Sequence, residues 1–290
     1  MAARNANFSQ LDNARCGALA LTCAMSTPCE PSGADRLWTV LRRSYGALAF
    51  GYVMTLLAVA FLATSAAGAV LLRVLPSARR QAAGQAIVFN GFRFVLGGMR
   101  LTGLFHYDLS ELDALRDARG VVIAPNHPSL LDVVLVASRV PRVVCIVKAS
   151  LWNNPFLSGC ARLAGYIRND ASQTVVRRAA AELRAGNNLL IFPEGTRTTV
   201  LGTPDPFKPG FALMARIAGA PVQTVFIESN SPYLRKGWPL LRMPRLPLRY
   251  RVRLGERFTP EQPAAAFIAR LEAYYRTKLA DAHGPEPWER

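Results

Sequence analysis

Two short polar strings carry the residue types of a general base and of an anion-binding site. The first, residues 126–132, holds His127 and, five positions later, Asp132. The second, residues 192–197, lies about sixty residues further along and combines a carboxylate, a glycine and a guanidinium. Each follows an apolar run with the length of a buried strand. Both are therefore predicted at the carboxyl edge of a parallel sheet, where α/β proteins bind their ligands.

The first string predicts a histidine–carboxylate pair. Pro128 has the fixed φ of a first helical position, which places His127 near a helix N-cap and Asp132 about one turn further on. The carboxylate then accepts a hydrogen bond from one ring nitrogen and leaves the other to take a proton from a hydroxyl. Ser129 has no nucleophile-elbow or oxyanion-loop pattern around it, which favours direct attack by a substrate hydroxyl. A structural interpretation is the alternative, in which His127 caps the helix and the carboxylate complements its N-terminus.

The second string predicts a phosphate or carboxylate site. Gly195 exposes backbone N–H groups, and Arg197 offers a planar fork of donors. Glu194 fits beside them if it orients the arginine or contacts a substrate hydroxyl. Lys208 precedes a helix that opens at Gly210, so a cation and a helix N-terminus are expected to face the same anion. The alternative is a turn with a solvated ion pair.

The elements that position these strings are those of an α/β domain. From about residue 109 onward, short apolar runs alternate with amphipathic stretches, which predicts a mostly parallel sheet flanked by helices. The predicted strands are residues 121–124, 143–147, 189–192, 222–227 and 248–254. The predicted helices are residues 130–138, 174–185, 210–217 and 261–280.

A membrane-inserted helical segment is predicted upstream. Residues 47–72 carry no charge, and a helix of that length, at about 1.5 Å per residue, exceeds the roughly 30 Å core of a bilayer. Arginines flank it on both sides and give no orientation. A single tilted span is favoured over a hairpin broken near residues 64–68. Residues 86–105 mix apolar and aromatic side chains with two arginines, which fits a helix at the membrane interface or a core helix of the domain.

Residues 1–34 have mixed composition and are predicted to form a poorly ordered tail, within which Met25 is an alternative start. The chain is thus divided into residues 1–34, 35–108 and 109–290. Five cysteines without a CxxC pair or zinc-type spacing predict neither a disulfide framework nor a metal site, and a reducing compartment is expected.

Net charge points to an anionic neighbour. The chain has a formal charge of +16, and residues 235–257 hold eight cations against one acid, interleaved with apolar side chains. Such a stretch suits an anionic membrane surface. Nucleic acid is not an expected partner, because no recognition motif accompanies the charge.

With these features together, the chain resembles the glycerolipid acyltransferase family, which includes the 1-acyl-glycerol-3-phosphate and related lysophospholipid acyltransferases. The resemblance covers roughly residues 85–255. It is carried by the His-x4-Asp string, the Phe-Pro-Glu-Gly-Thr-Arg string, the Lys-Pro-Gly of residues 208–210 and the block of residues 148–167 between the two motifs.

The resemblance implies an O-acyltransferase in which His127 deprotonates an acceptor hydroxyl and Asp132 orients it. The donor would be acyl-CoA or acyl-carrier protein. The other partners would be membrane lipids, and the protein would lie at the cytoplasmic face of the membrane. No bound cofactor or metal is implied. The residues that would bind the acceptor are Glu194, Gly195, Thr196, Arg197, Arg168 and Lys208.

Two segments depart from the family pattern and keep alternatives open. An acidic-basic pair is usual where this chain has Arg168-Asn169-Asp170, and a second proline is common where it has residues 220–225. A different acceptor, such as a lyso-aminolipid or a specialised metabolite, is therefore an alternative. The non-enzymatic alternative is a basic membrane- or nucleic-acid-binding protein whose two strings are turns.

Overall fold

The computed structural model describes residues 33–170, 172–200, 202–261 and 263–282. The predicted tail, the alternative start at Met25 and the three cysteines before residue 30 lie outside the described residues. The helices are α1 Gly33–Val74, α2 Ser77–Leu101, α3 Asp132–Ala137, α4 Ala149–Trp152, α5 Ser158–Leu163, α6 Ser172–Arg184, α7 Gly210–Ala218, α8 Ala264–Ala282 and a short 3-10 helix, Ser110–Leu115. The strands are β1 Phe105–Asp108, β2 Val122–Pro125, β3 Val143–Lys148, β4 Ile167–Asn169, β5 Asn188–Leu190, β6 Val222–Ser229 and β7 Leu248–Phe258.

The seven strands form one sheet in the order β1-β7-β6-β2-β5-β3-β4. Every neighbouring pair is parallel except β6 and β7. Successive residues of β2 face opposite sides, with Val122 in one buried apolar cluster and Ile123 in the other. Both faces are therefore covered, as the near-continuous apolar character of the central strands requires. The predicted mostly parallel sheet with flanking helices is confirmed.

The sequence did not predict strands β1 and β4, and β1 begins inside the stretch predicted as a helix over residues 86–105. Helix α2 instead covers Ser77–Leu101 and ends where the Thr102 hydroxyl donates to the carbonyl of Met99 and Gly103 turns the chain at φ +67°. Val95 and Met99 are buried in the core. One face of this helix thus packs on the domain, whereas Phe94 and Leu101 on it are exposed.

The chain separates into two units, residues 1–45 and residues 46–290, and the second holds the whole sheet. Helix α1 runs without a break through residues 64–68, so the chain turns back after Val74 instead. Among the described residues, α1 is the one helix long and apolar enough to cross a membrane, with a mean hydropathy of 2.1 over its most apolar window and 11% of that window buried. It is a candidate membrane segment.

One face of α1 packs on the domain. The Gly159 N–H donates to the Ser65 hydroxyl at 3.0 Å, and Phe61 packs edge-to-face on Phe92 of α2 with ring centroids 5.9 Å apart. A Cβ on Gly159 would lie 1.9 Å from the Ser65 carbonyl oxygen, so this approach requires glycine. Other apolar side chains of α1, including Leu48 and Val59, are exposed.

The basic stretch of residues 235–257 falls on two different features, a loop and strand β7. On β7, Arg251 lies 3.7 Å from Asp108, and Arg253 forms an ion pair with Glu228 of β6. These two arginines hold neighbouring strands of the sheet together. On β7, therefore, two of the basic side chains pair with acids of neighbouring strands; the membrane-facing role of the stretch stays a prediction.

Candidate active site

The two polar strings meet because they follow adjacent parallel strands. β2 pairs with β5, so the loops that leave their carboxyl ends lie side by side. Asn126 fixes the start of the first loop, since its side-chain amide donates to the carbonyl of Ile227 at 3.0 Å and its oxygen accepts from the N–H of the same residue at 2.7 Å. The first loop is thus fastened to β6 before the histidine is reached.

His127 and Asp132 form the predicted pair. Nδ1 of the imidazole lies 2.8 Å from Oδ2 of the carboxylate, and the same oxygen accepts the Ser129 N–H at 2.8 Å. Asp132 is fully buried, whereas His127 keeps 12% of its side chain exposed. Burial raises the pKa of Asp132, and the hydrogen bonds from His127 and Ser129 and the charge of Arg197 oppose that rise.

The loop that carries the pair is not the helix start that was predicted. Helix α3 begins at Asp132 itself, because the preceding N–H groups have partners outside a helix. The Leu130 N–H donates to the carbonyl of Leu234 at 3.2 Å, and the Leu131 N–H donates to the Ser129 hydroxyl at 3.2 Å. His127 and Asp132 therefore meet across a tight loop rather than along one helical turn.

The second string and the residue after it, Thr198, contact His127 at three points. The His127 N–H donates to Oε1 of Glu194 at 3.1 Å, and its carbonyl accepts the Thr198 N–H at 2.7 Å. Its ring stacks on Phe192, with centroids 3.7 Å apart and planes inclined by 14°. Backbone and ring are both held, so the imidazole is presented in one orientation.

Glu194 is a buried support for the histidine loop. It is 1% exposed, and besides the His127 N–H its carboxylate accepts the Thr198 hydroxyl at 2.9 Å and the Asp205 N–H at 2.9 Å. Burial raises the pKa of Glu194, and these hydrogen bonds oppose the rise. The structure places its carboxylate on the protein's own donors, in contrast to the predicted contact with the acceptor.

Gly195, Thr196 and Lys208 form an exposed rim beside the histidine loop. Gly195 adopts φ +70°, and a Cβ there would lie 3.1 Å from Cγ of Lys208. The Lys208 N–H donates to the carbonyl of Pro193 at 2.8 Å, and the side chains of Thr196 and Lys208 are exposed. Glycine both allows the turn and keeps the lysine against it.

Arg197 is half-buried and ties the second string to a third loop. Its Nη1 donates to the carbonyls of Leu234 and Arg235 at 2.9 and 3.1 Å. Its charge also opposes the rise in the pKa of Asp132 that burial causes. One nitrogen of the guanidinium predicted to bind a substrate anion is thus used in hydrogen bonds within the protein.

Arg168 lies apart from the other predicted site residues. It is on the edge strand β4, three strands from β2 in the sheet order, and its Nε lies 2.7 Å from Oδ1 of Asp170. The structure brings together seven of the eight predicted site residues and leaves Arg168 further along the same sheet edge.

Sequence reasoning did not assign three supporting contacts that the structure shows. The first is the stacking of the Phe192 ring on the imidazole. The second is Thr198, which hydrogen-bonds to both Glu194 and His127, and the third is the pair of hydrogen bonds from Asn126 to β6. The spacing of Thr198, four residues after Glu194, was a usable signal for a side-chain hydrogen bond within a turn. Among the described residues, no cluster of histidine, cysteine, aspartate and glutamate could hold a metal ion.

Comparison with known proteins finds similarity to acyltransferases. A family model described as Acyltransferase matches residues 106–228. The 1-acyl-sn-glycerol-3-phosphate acyltransferase of Cocos nucifera is 26% identical over 203 residues, which are 68% of this chain and 65% of that protein. The enzyme of the same name from Pseudomonas aeruginosa is 27% identical over 158 residues, 52% of this chain and 61% of that protein. The matched regions thus span less than two thirds of either relative.

A solved structure shares the fold. The crystal structure of the 1-acyl-sn-glycerophosphate acyltransferase PlsC from Thermotoga maritima superposes with a TM-score of 0.61 at 17% identity, covering 86% of this chain and 99% of that one. The matched family model begins at β1 and ends in β6, and so contains both polar strings. These findings support the predicted resemblance to the glycerolipid acyltransferase family, and the match to the Acyltransferase family model lies at residues 106–228.

Proposed function

We propose that the protein moves a fatty acyl group from an acyl thioester, acyl-CoA or acyl-carrier protein, to the free hydroxyl of a lysophospholipid-like acceptor. The acceptor we propose first is 1-acyl-glycerol-3-phosphate, the substrate in the names of the two sequence relatives. The observation that carries the proposal is the 2.8 Å contact between Nδ1 of His127 and the fully buried Asp132.

In the proposed reaction His127 is the general base. The Asp132 carboxylate holds the proton on Nδ1, so Nε2 is the nitrogen that takes the proton from the acceptor hydroxyl. The acceptor oxygen attacks the thioester carbonyl, a carbon–oxygen bond forms, and the carbon–sulfur bond breaks. The leaving thiolate regains a proton from the imidazolium, so the enzyme returns to its starting state without a covalent intermediate. The buried carboxylate stabilises the imidazolium while it exists.

The acceptor's phosphate would bind on the exposed rim. Lys208 and Thr196 lie beside Gly195, and Lys208 is just before the N-terminus of α7. A cation, a hydroxyl and the N–H groups of a helix start are a suitable set for a phosphate. Arg197 would contribute the donors that are not used on the loop carbonyls.

We place the reaction at the cytoplasmic face of a membrane. Exposed apolar residues of α1 support a membrane location, as does the loop before β7, where Leu240 and Leu241 are 57% and 77% exposed. Arg245 is exposed in the same loop, so apolar groups can enter the headgroup region while a cation meets anionic lipid.

The test is thioester-dependent acylation by the purified full chain. His127→Ala should lower kcat by at least about 10²-fold, the lower end of what a positioned base contributes. His106→Ala is the matched control, because that histidine is exposed on the edge strand β1, and it should retain wild-type activity. Thermal melting of both variants verifies that they are folded.

Wild-type-like turnover by folded His127→Ala protein would contradict the assignment of the base. The acceptor is tested with 1-acyl-glycerol-3-phosphate beside an unphosphorylated 1-acyl-glycerol. Equal KM values for the two would contradict a phosphate-binding rim and favour an acceptor of different chemistry.

A further inference from the structure

A cationic cavity lies next to the histidine loop. It has a volume of about 460 Å³ and is open on one side. Its lining residues are Thr198, Thr199, Pro232, Arg235, Lys236, Gly237, Trp238, Pro239 and Arg242, three of them cations and none acidic. Two acids outside the lining contact it: Asp205 accepts the Thr199 N–H at 3.2 Å, and Glu194 accepts the Thr198 hydroxyl at 2.9 Å. The cavity therefore concentrates positive charge in one concave place.

Two of the three cations of the cavity, Arg235 and Arg242, are held in position. Nη2 of Arg235 donates to the carbonyl of Thr199 at 2.7 Å. The guanidinium of Arg242 lies 5.1 Å from the ring centroid of Trp238, whose Nε1 donates to the Arg242 carbonyl at 3.0 Å. The Trp238 ring in turn packs edge-to-face on the buried Tyr233. Groups ordered in advance lose less freedom when a ligand binds.

Hydrogen bonds join the cavity wall to the reaction site. Arg197 bonds the carbonyl of Arg235, and the Thr198 N–H bonds the carbonyl of His127. The Leu130 N–H bonds the carbonyl of Leu234, immediately before the cavity residues. A molecule in the cavity would therefore lie beside the loop that carries the base.

We propose that this cavity binds the nucleotide end of a CoA thioester donor. A CoA donor carries a diphosphate, a 3′-phosphate and an adenine ring, which match Arg235, Lys236 and Arg242 with Trp238 among them. A cavity of about 460 Å³ is within the usual range for a small-molecule site and far larger than one phosphate needs. A carrier-protein donor has no nucleotide. The inference rests on the proposed acyl transfer and selects CoA as its donor.

The kinetic test compares acyl-CoA with acyl-3′-dephospho-CoA on the full chain. Lys236→Gln and Arg242→Gln should each raise the KM for acyl-CoA about tenfold, because each removes a charge-assisted contact to phosphate. The KM for the acceptor should change less than about twofold, since the acceptor is bound elsewhere. In the variants the preference for acyl-CoA over its dephospho form should shrink.

A matched control removes the same charge elsewhere. Arg276→Gln changes an exposed arginine of α8 and should leave both KM values as in the wild type. Cavity variants that behave like Arg276→Gln would overturn the proposal. So would a rise in the acceptor KM with the acyl-CoA KM unchanged, because the cavity would then hold the acceptor's phosphate. Turnover of acyl-carrier protein but not of acyl-CoA by the wild type would also overturn it.

A binding measurement separates this proposal from the proposed reaction. Equilibrium dialysis of adenosine 3′,5′-bisphosphate needs no catalysis, and wild type and Arg276→Gln should bind it equally. Arg242→Gln should bind it about tenfold more weakly. Binding of adenosine 3′,5′-bisphosphate by a protein that transfers no acyl group would contradict the proposed reaction but not the proposed nucleotide site. Acyl transfer from acyl-CoA by a protein that does not bind the bisphosphate would contradict the nucleotide site but not the proposed reaction.

Discussion

The floor of the site and its rim differ in how their polar groups are satisfied. On the floor, Asp132 and Glu194 are buried, and both accept hydrogen bonds from the protein's own groups. On the rim, Thr196 and Lys208 are exposed. Buried carboxylates can fix a histidine because removing any donor or acceptor leaves an unpaired group in the interior. Exposed cations are free to meet a substrate. In the proposed reaction, the buried floor would fix the catalytic geometry and the exposed rim would bind the substrate.

The largest effect within this comparison is expected at Asp132. Asp132→Asn keeps the size of the side chain but removes the charge that holds the proton on Nδ1 of His127 and stabilises the imidazolium. We expect kcat to fall about 10²-fold with KM values nearly unchanged, since no substrate contact is lost. Steady-state kinetics check this. If Asp132→Asn changed KM and left kcat unchanged, Asp132 would have a role in substrate binding and not in catalysis.

A smaller effect is expected at Glu194, which acts on the histidine only through its backbone. In Glu194→Gln an amide NH₂ faces either the Asp205 N–H or the His127 N–H, and one buried donor loses its acceptor at a cost of about 1–3 kcal/mol. We expect the melting temperature to fall by several degrees and kcat by about tenfold. If the variant instead lost affinity for the acceptor at unchanged kcat, the result would favour the predicted contact between Glu194 and the acceptor.

The same variant has a pH signature. Because burial raises the pKa of Glu194 above its usual 4.5, the folded protein holds this proton at pH values where the unfolded chain has released it. The carboxyl group therefore adds stability that is complete below about pH 4.5 and declines as pH rises through the raised pKa. Glutamine does not titrate, so the advantage of the wild type in melting temperature should narrow as pH rises. An advantage that widens would contradict a raised pKa.

The fold and the partners of His127 differ in how far the sequence could predict them. The alternation of apolar and amphipathic runs predicted the parallel sheet and the position of the two polar strings at its carboxyl edge. It could do so because strands buried on both faces are continuous apolar runs in the sequence. The edge strands β1 and β4 each have one buried residue, so neither has the continuous apolar run that predicted β2 and β5. The contacts from Leu130 and Arg197 to the carbonyl of Leu234 join residues far apart in the chain. Local spacing therefore predicted a helix start where tertiary hydrogen bonds build a loop.

The smallest effect is expected on the rim, at Lys208. Its side chain is exposed, so water screens its attraction to a phosphate, and exposed charge pairs are weak. Lys208→Gln should raise the KM for 1-acyl-glycerol-3-phosphate about threefold at low salt, with kcat and the KM for an unphosphorylated acceptor unchanged. The effect should fade as salt is added, whereas the loss in Asp132→Asn should not, because that carboxylate is shielded from ions. Lys278→Gln on α8 is the control for charge alone. A salt-independent loss of kcat in Lys208→Gln would place this lysine with the buried floor and erase the distinction between the two regions.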